Sequence, residues 1–232
     1  MQVLLDHMAD IPCLLVLSDA IKETQERECF SHIELVRQKR DLSRMLVDVR
    51  MRLETWKEVW QDSYPGEFAK ESHSQLEVAD SISAMGSQRT GLPSAFRCQD
   101  LETMHVTTPN ILIYPDAECA VEICLYYACL LTLNSVALNA ATFPEHLEAL
   151  ENGQSGDDYK LACNICCCVE DVLVPDPRAS WMLIMLFPLE VAYKTFPRSG
   201  IESSWLEMLF KWLSEAKGVK MFETIPEKHR EA

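Results

Sequence analysis

The densest group of chemically capable side chains is Cys163-Asn164-Ile165-Cys166-Cys167-Cys168. Cys163 and Cys167 stand one helical turn apart, so two thiolates could face a metal ion. A closed zinc site needs four ligands, usually as two spaced pairs. No second C-x-x-C occurs and no histidine lies nearby in sequence, so the run is expected to supply small side chains for close helix packing. Two acidic pairs, Asp157 with Asp158 and Glu118 with Glu122, have the residue types for cation binding or proton transfer. Each is expected at the start of a helix, where negative charge complements the helix dipole. The six histidines, at 7, 32, 73, 105, 146 and 229, form no H-E-x-x-H and accompany no nucleophile motif. Neither a phosphate-cradling G-x-x-x-x-G-K nor a G-x-G-x-x-G is present. This reading assigns no catalytic, cofactor-binding or metal residue, and no cofactor.

Two further groups belong to helices. Arg37, Lys39, Arg40, Arg44, Arg50 and Arg52 could act as an import signal or a weak nucleic-acid patch. Glu34, Asp41 and Asp48 interleave with them, which fits a solvated helix face better. Trp56, Trp60, Trp181, Trp205 and Trp212 fall on expected helices, where aromatic residues serve as core or interface anchors; a small-molecule pocket lined by them is the alternative.

The elements that would position these groups are helical. With 232 residues, 48% of them hydrophobic, the chain can bury one substantial core. Seven glycines and the absence of regular short-strand spacing argue against an all-β fold. A formal charge of −15 opposes binding to bare nucleic acid and suits protein partners. Ten cysteines among apolar neighbours fit reduced thiols in a nuclear or cytoplasmic protein, since Asp6, His7 and Asp10 interrupt the first apolar run and no glycosylation sequon occurs. The uncharged run 123–143 has the length of a bilayer span. Thr132, Asn134, Ser135 and Asn139 are spread through it, and no Lys or Arg flanks it, so a buried helix is expected and no membrane partner.

Along the chain, Asp10 is a candidate cap, with Pro12 in the first turn that follows. Ser31 and Glu34 form a capping box for a long helix whose apolar face is Leu42, Met45, Leu46, Val49, Leu53, Trp56 and Trp60, ended by Tyr64-Pro65-Gly66. A short helix is expected around 76–85. A loop should follow over 86–110, with Leu92-Pro93 and Phe96 as anchors. The buried helix should span 115–141, and 143–156 reads as a polar connector. Asp157 should cap the next helix, whose stripe is Ala162, Ile165, Cys166, Val169, Val172 and Leu173, stopped by Val174-Pro175-Asp176-Pro177. An apolar helix with Phe187-Pro188-Leu189 and an amphipathic one with Trp205, Leu206, Leu209, Phe210 and Leu213 come last. Glu207 and Lys211 are spaced as an i,i+4 pair, and 226–232 forms a tail. The expected fold class is all-α: a single irregular multi-helix domain over 1–232 with a buried central helix.

In this order the elements resemble the fungal-specific transcription-factor domain of zinc-cluster regulators. The likeness runs from Leu4-Leu5 and Ile11-Pro12-Cys13-Leu14-Leu15 to Gly218 and Ile225. Its landmarks are Leu53-x-x-Trp56, Leu92-Pro93 with Phe96, and Tyr126-Tyr127-Ala128 with Leu130-Leu131. The helix 163–172 follows, then Leu186-Phe187-Pro188-Leu189-x-Val191-Ala192 and Trp205-Leu206-x-x-Leu209-Phe210. Such regulators carry a six-cysteine binuclear zinc cluster, a linker and a coiled coil upstream, and the ten cysteines here do not show that spacing. The resemblance implies a regulatory domain without its own DNA-binding module, acting in fungal gene regulation, in a specialised-metabolite pathway. Its partners would be a DNA-binding regulator or the transcription machinery, with a small-molecule ligand as a further possibility and no direct nucleic-acid contact. Two other readings stand beside it: a helical enzyme with a pocket between the helix at 115–141 and the helices after Arg178, and a degenerate remnant.

Overall fold

The computed structural model describes residues 1–26, 32–64, 96–99, 106–107, 114, 116–141, 144–173 and 179–226. In chain order these form α1 (Gln2–Met8), α2 (Ile11–Glu26), α3 (His32–Ser63), α4 (Ala117–Ala140), α5 (Pro144–Cys167), α6 (Val169–Leu173), α7 (Ala179–Thr195) and α8 (Ile201–Lys217). A 3₁₀ turn, Lys220–Glu223, follows α8. Between α3 and α4, β1 (Cys98–Gln99) pairs antiparallel with β2 (Val106–Thr107), Cys98 opposite Thr107. The loop expected over 86–110 thus contains a two-residue ladder. The fold is all-α, with a buried helix at its centre.

That centre is α4. Asp116 caps it, its carboxylate accepting from the Cys119 amide at 2.8 Å. From Cys119 to Cys129 every side chain is buried. This follows from its neighbours, since α1, α2, α3, α5, α6 and α7 all pack against it. The helix has the length and composition to cross a membrane, and here protein surrounds it.

α3 lays one face on this centre. Leu42, Leu46, Val49, Leu53, Trp56 and Trp60 are buried, while Met45 sits at the margin and is partly exposed. Trp56 lies 5.8 Å from Trp60 and 5.7 Å from Tyr126 between ring centroids, which locks α3 to α4. Pro12 occupies the first turn of α2. Asp10 stands just before it and directs its carboxylate to Arg52 of α3.

The largest departure from the sequence reading is the stretch 143–156. α5 starts at Pro144 and runs through Gly153 and Gly156 without interruption. Pro at the first helical position is favourable, and the Glu, Leu and Ala residues that follow favour helix strongly enough to carry two glycines. Asp157 therefore sits in mid-helix, exposed, and its carboxylate lies 3.8 Å from Lys160. The stripe Ala162, Ile165, Cys166, Val169, Val172 and Leu173 is buried throughout, with a turn at Cys168 separating α5 from α6.

α7 continues through Pro188, which is buried. α8 carries Trp205, Leu206, Leu209, Phe210 and Leu213 on its buried face. Phe210 meets Tyr193 edge-on at 5.6 Å and stacks on Phe222 at 5.8 Å, so the segment after α8 folds back over it. Gly218, at φ 72°, makes that reversal possible, since a left-handed residue costs glycine nothing. On the outer side, Tyr193 donates to Glu207 at 2.8 Å and Lys211 lies 3.9 Å from Glu215, a different pairing from the Glu207–Lys211 spacing. Phe96 is anchored as expected, 4.9 Å from Trp205 and 6.4 Å from Phe196. Leu92-Pro93, Ser31, Pro65-Gly66, 76–85, 174–178 and the tail after 226 lie outside the described residues.

Ile165, fully buried on the face of α5, and Val47, 59% exposed on α3, give a direct check of this packing. Urea unfolding should show a loss of about 2–5 kcal/mol for Ile165→Ala and a change within about 0.5 kcal/mol for Val47→Ala.

Candidate functional site

The polar side chains of α4 gather the candidate site around the centre of the fold. A buried polar group without a partner costs roughly 1–3 kcal/mol, so each must be answered from a neighbouring element. Thr132 bonds back to the Ala128 carbonyl at 2.8 Å. Glu122, 5% exposed, accepts from the Trp60 indole N–H at 2.8 Å and from the Met1 backbone nitrogen. Its partners, not a position near the helix start, explain this carboxylate. Glu118, one turn earlier, is exposed.

Asn134 is the most constrained of these groups, at 4% exposure. Its Oδ1 accepts from Arg50 of α3 at 2.8 Å, and its Nδ2 donates to Asp158 of α5 at 2.5 Å. One amide thus joins three helices. Burial raises the Asp158 pKa above the ordinary aspartate range, opposed by the bond from Asn134 and by the Arg50 charge. Asp157 and Asp158 are therefore not an acidic pair: one faces solvent and the other an amide.

The basic group of α3 is divided in the same manner. Lys39 is buried and donates to the Ala141 carbonyl at 2.8 Å, placing its cation at the negative end of α4. Burial lowers its pKa. Arg52 lies 2.5 Å from Asp10 and 3.2 Å from Asp48, and Arg44 lies 3.7 Å from Asp41. Arg37 and Arg40 point outward. The six residues do not make one patch.

The cysteines form a second cluster where α4, α5 and β1 meet. Cys163 is hydrogen-bonded to Cys98, an interaction that raises its pKa together with burial. Cys124 neighbours Cys168, and the Cys168 thiol donates to the Asn164 carbonyl at 3.1 Å. Burial pushes Cys129 up to about 12 and drives Cys124 and Cys166 upward as well, so these thiols stay protonated at neutral pH. Among the described residues no three His, Cys, Asp or Glu side chains converge as a metal site, and no disulfide joins the cysteines.

A third polar group closes the start of α8. Glu202 is buried and accepts from the Tyr159 hydroxyl at 2.5 Å, while Ser203 donates to the Pro197 carbonyl at 2.8 Å. Gly200 leaves the necessary room, because a Cβ there would stand 2.6 Å from Glu202 Oε2. Trp56, Trp60 and Trp205 are buried, while Trp181 and Trp212 pack partly buried against the core. His7, His32 and His146 fall in α1, α3 and α5, and His73, His105 and His229 lie outside the described residues. α4 and α7, the first of the helices after Arg178, pack on each other.

The sequence reading missed Asn134, Arg50 and Lys39 as structural partners. The one available signal was an amide in an uncharged run, since a buried amide requires donors and acceptors from elsewhere. No family model, curated protein or solved structure matches the chain.

Two measurements follow. Asp158→Asn keeps the acceptor for Asn134 and removes the desolvated charge. The raised pKa means the folded chain binds the proton more readily than the unfolded one, so stability falls as pH rises through the folded value. The variant should therefore melt higher than the parent near neutral pH, and the advantage should fade as pH drops into the ordinary aspartate range. Alkylation of the folded chain followed by peptide mass spectrometry should modify exposed Cys13 and spare Cys124, Cys129 and Cys166 until denaturant is added.

Proposed function

We propose that the chain is a regulatory domain of fungal gene control that carries no DNA-binding zinc cluster and works through protein contacts, within a specialised-metabolite pathway. The observation that carries this is the outer face of α3. Ile33, Val36, Val47 and Met51 are exposed there beside Arg37, Arg40 and Arg44. Apolar groups interleaved with charges on a long, rigid helix suit a protein partner. The net charge of −15 is unfavourable for phosphate backbones.

The likeness to the fungal regulatory domain adds support of a second kind. Its landmarks Leu53, Trp56, Phe96, Tyr126, Tyr127, Ala128, Leu131, Leu189, Ala192, Trp205, Leu206, Leu209 and Phe210 all belong to one core. Residues that carry a resemblance through packing are expected to pack together. The partners on this reading are a DNA-binding regulator or the transcription machinery, in the nucleus or cytoplasm. A small-molecule ligand would act by favouring one helix arrangement over another.

Tethering tests the proposal. The full chain fused to an unrelated DNA-binding module should change transcription of a reporter in a fungal host several-fold. Val47→Glu with Met51→Glu should abolish the change, and Met208→Glu, on the exposed side of α8, should not. A reporter unmoved by the parent fusion, at equal protein level, overturns the reading.

A further inference from the structure

The outer face of α3 is arranged symmetrically about a centre. Val47 and Met51 stand one turn apart in mid-helix, 59% and 56% exposed. Arg40 lies seven residues before Val47, and Glu58 lies seven residues after Met51. Further out, Arg37 is ten residues before Val47 and Asp62 eleven after Met51. All of these side chains are exposed, so the charges of the face run from basic to acidic with Val47 and Met51 between them, while Ile33 and Val36 lie among the basic residues. The intrachain ion pairs of α3 use Arg44 with Asp41, Arg50 with Glu54, and Arg52 with Asp10 and Asp48. Among the described residues, Arg37, Arg40, Glu58 and Asp62 enter none of them.

We propose that this face pairs with the same face of a second copy, the two α3 helices running antiparallel about a two-fold axis between Val47 and Met51. This rests on reading the face as a protein-contact surface, and it adds a second copy of the chain to the partners that face takes. A two-fold axis there carries each residue to an equal distance on the other side of the centre. Arg40 then meets Glu58 of the second copy, twice, each pair about 13 Å from the axis at 1.5 Å rise per residue. Arg37 meets Asp62 of the second copy further out, and Val47 meets Met51 at the centre.

Charge selects this occupant. An acidic partner helix would satisfy the basic half of the face and be repelled by the other half, and a basic partner would do the reverse. A helix carrying both charges in the opposite order meets the whole face, and antiparallel α3 has that order. Parallel pairing would set Arg40 beside Arg40 and Glu58 beside Glu58, so the same residues oppose it. A single helix pair falls at or below the small end of the about 1,200–2,000 Å² of stable interfaces, which implies weak, reversible association.

Sedimentation equilibrium of the full chain at about 0.15 M salt tests this. A reversible dimer with a dissociation constant on the order of 10 μM is expected. Arg40→Glu alone and Glu58→Arg alone should each weaken it at least about tenfold, because like charges then face each other at both pairs. An equimolar mixture of the two single variants should dimerise again, and so should the double variant, since every pair then joins opposite charges. A parent chain that stays monomeric overturns the proposal. Single variants that dimerise like the parent overturn it too, as does failure of the mixture and the double variant to recover. All three variants lie on exposed positions. Should one fail to melt cooperatively, Arg40→Gln and Glu58→Gln replace it and should weaken the dimer without repulsion. A monomer that still moves the reporter removes the second copy as partner and leaves the functional reading standing; a dimer that leaves the reporter unmoved does the reverse.

Discussion

A polar side chain buried between helices has no water to satisfy it, and α4 carries Glu122, Thr132 and Asn134 in that position. Everything around it is arranged by that constraint. Trp60 must lie flat enough to present its N–H to Glu122, which fixes the C-terminal half of α3. Arg50 and Asp158 must reach the two ends of one amide, which fixes α3 and α5 about α4. Lys39 must reach the Ala141 carbonyl, and Asn139 donates to Ser18 at 2.8 Å, which ties α2 to the same helix. Apolar packing alone tolerates several registers between helices, whereas these bonds are each satisfied in one. The hydrophobic surface makes the chain compact, and the polar groups select the arrangement.

The same constraint sorts the surface. The inward side of α3 uses Lys39, Arg50 and Trp60 for α4, and its flank uses Arg52 for Asp10. What faces outward is under no such demand, so its composition is free to serve contacts with other molecules. Exposed apolar side chains on the outer face, and charges there that pair with none of the described residues, are the part of α3 that its packing on α4 does not account for. Glu122, Glu202 and the cysteines of α5 are the residue types expected of chemistry, and each is engaged with another part of the core.

Helices with one-sided periodicity were legible from the sequence, because a single buried face imprints a single pattern. α3 and α8 show it through Leu42 to Trp60 and Trp205 to Leu213. α4 was legible for the opposite reason: burial on all sides removes charge from its middle, and a span-like run results. α5 was misread where its N-terminal half is polar and contains Gly153 and Gly156. Local composition there describes a connector, whereas continuity of the helix comes from Pro144 at its start and from docking of its second half. The polar partners were not legible at all. Trp60 and Glu122 are 62 residues apart, and Arg50 and Asn134 are 84 apart, and no local pattern links such pairs. The palindromic charge order of α3 was present in the sequence as basic and acidic residues on one helix. It is readable once Lys39, Arg50 and Arg52 are set apart by their bonds to Ala141, Asn134 and Asp10, which Arg37 and Arg40 do not share.

Two copies of a chain with net charge −15 repel one another, so attraction at the face of α3 must act at short range. At physiological ionic strength the Debye length is about 8 Å. Most of the acidic surface of one copy would lie farther than that from the other, and salt screens its repulsion. Arg40 and Glu58 across an interface lie well inside that length and keep most of their attraction. Added salt therefore acts in two directions, relieving the long-range repulsion first and weakening the local pairs later. Each such pair contributes only about 0.2–1 kcal/mol, too little to drive association without the apolar centre. What the charges supply is direction: antiparallel pairing gains what parallel pairing loses, and that difference fixes the orientation of the two helices.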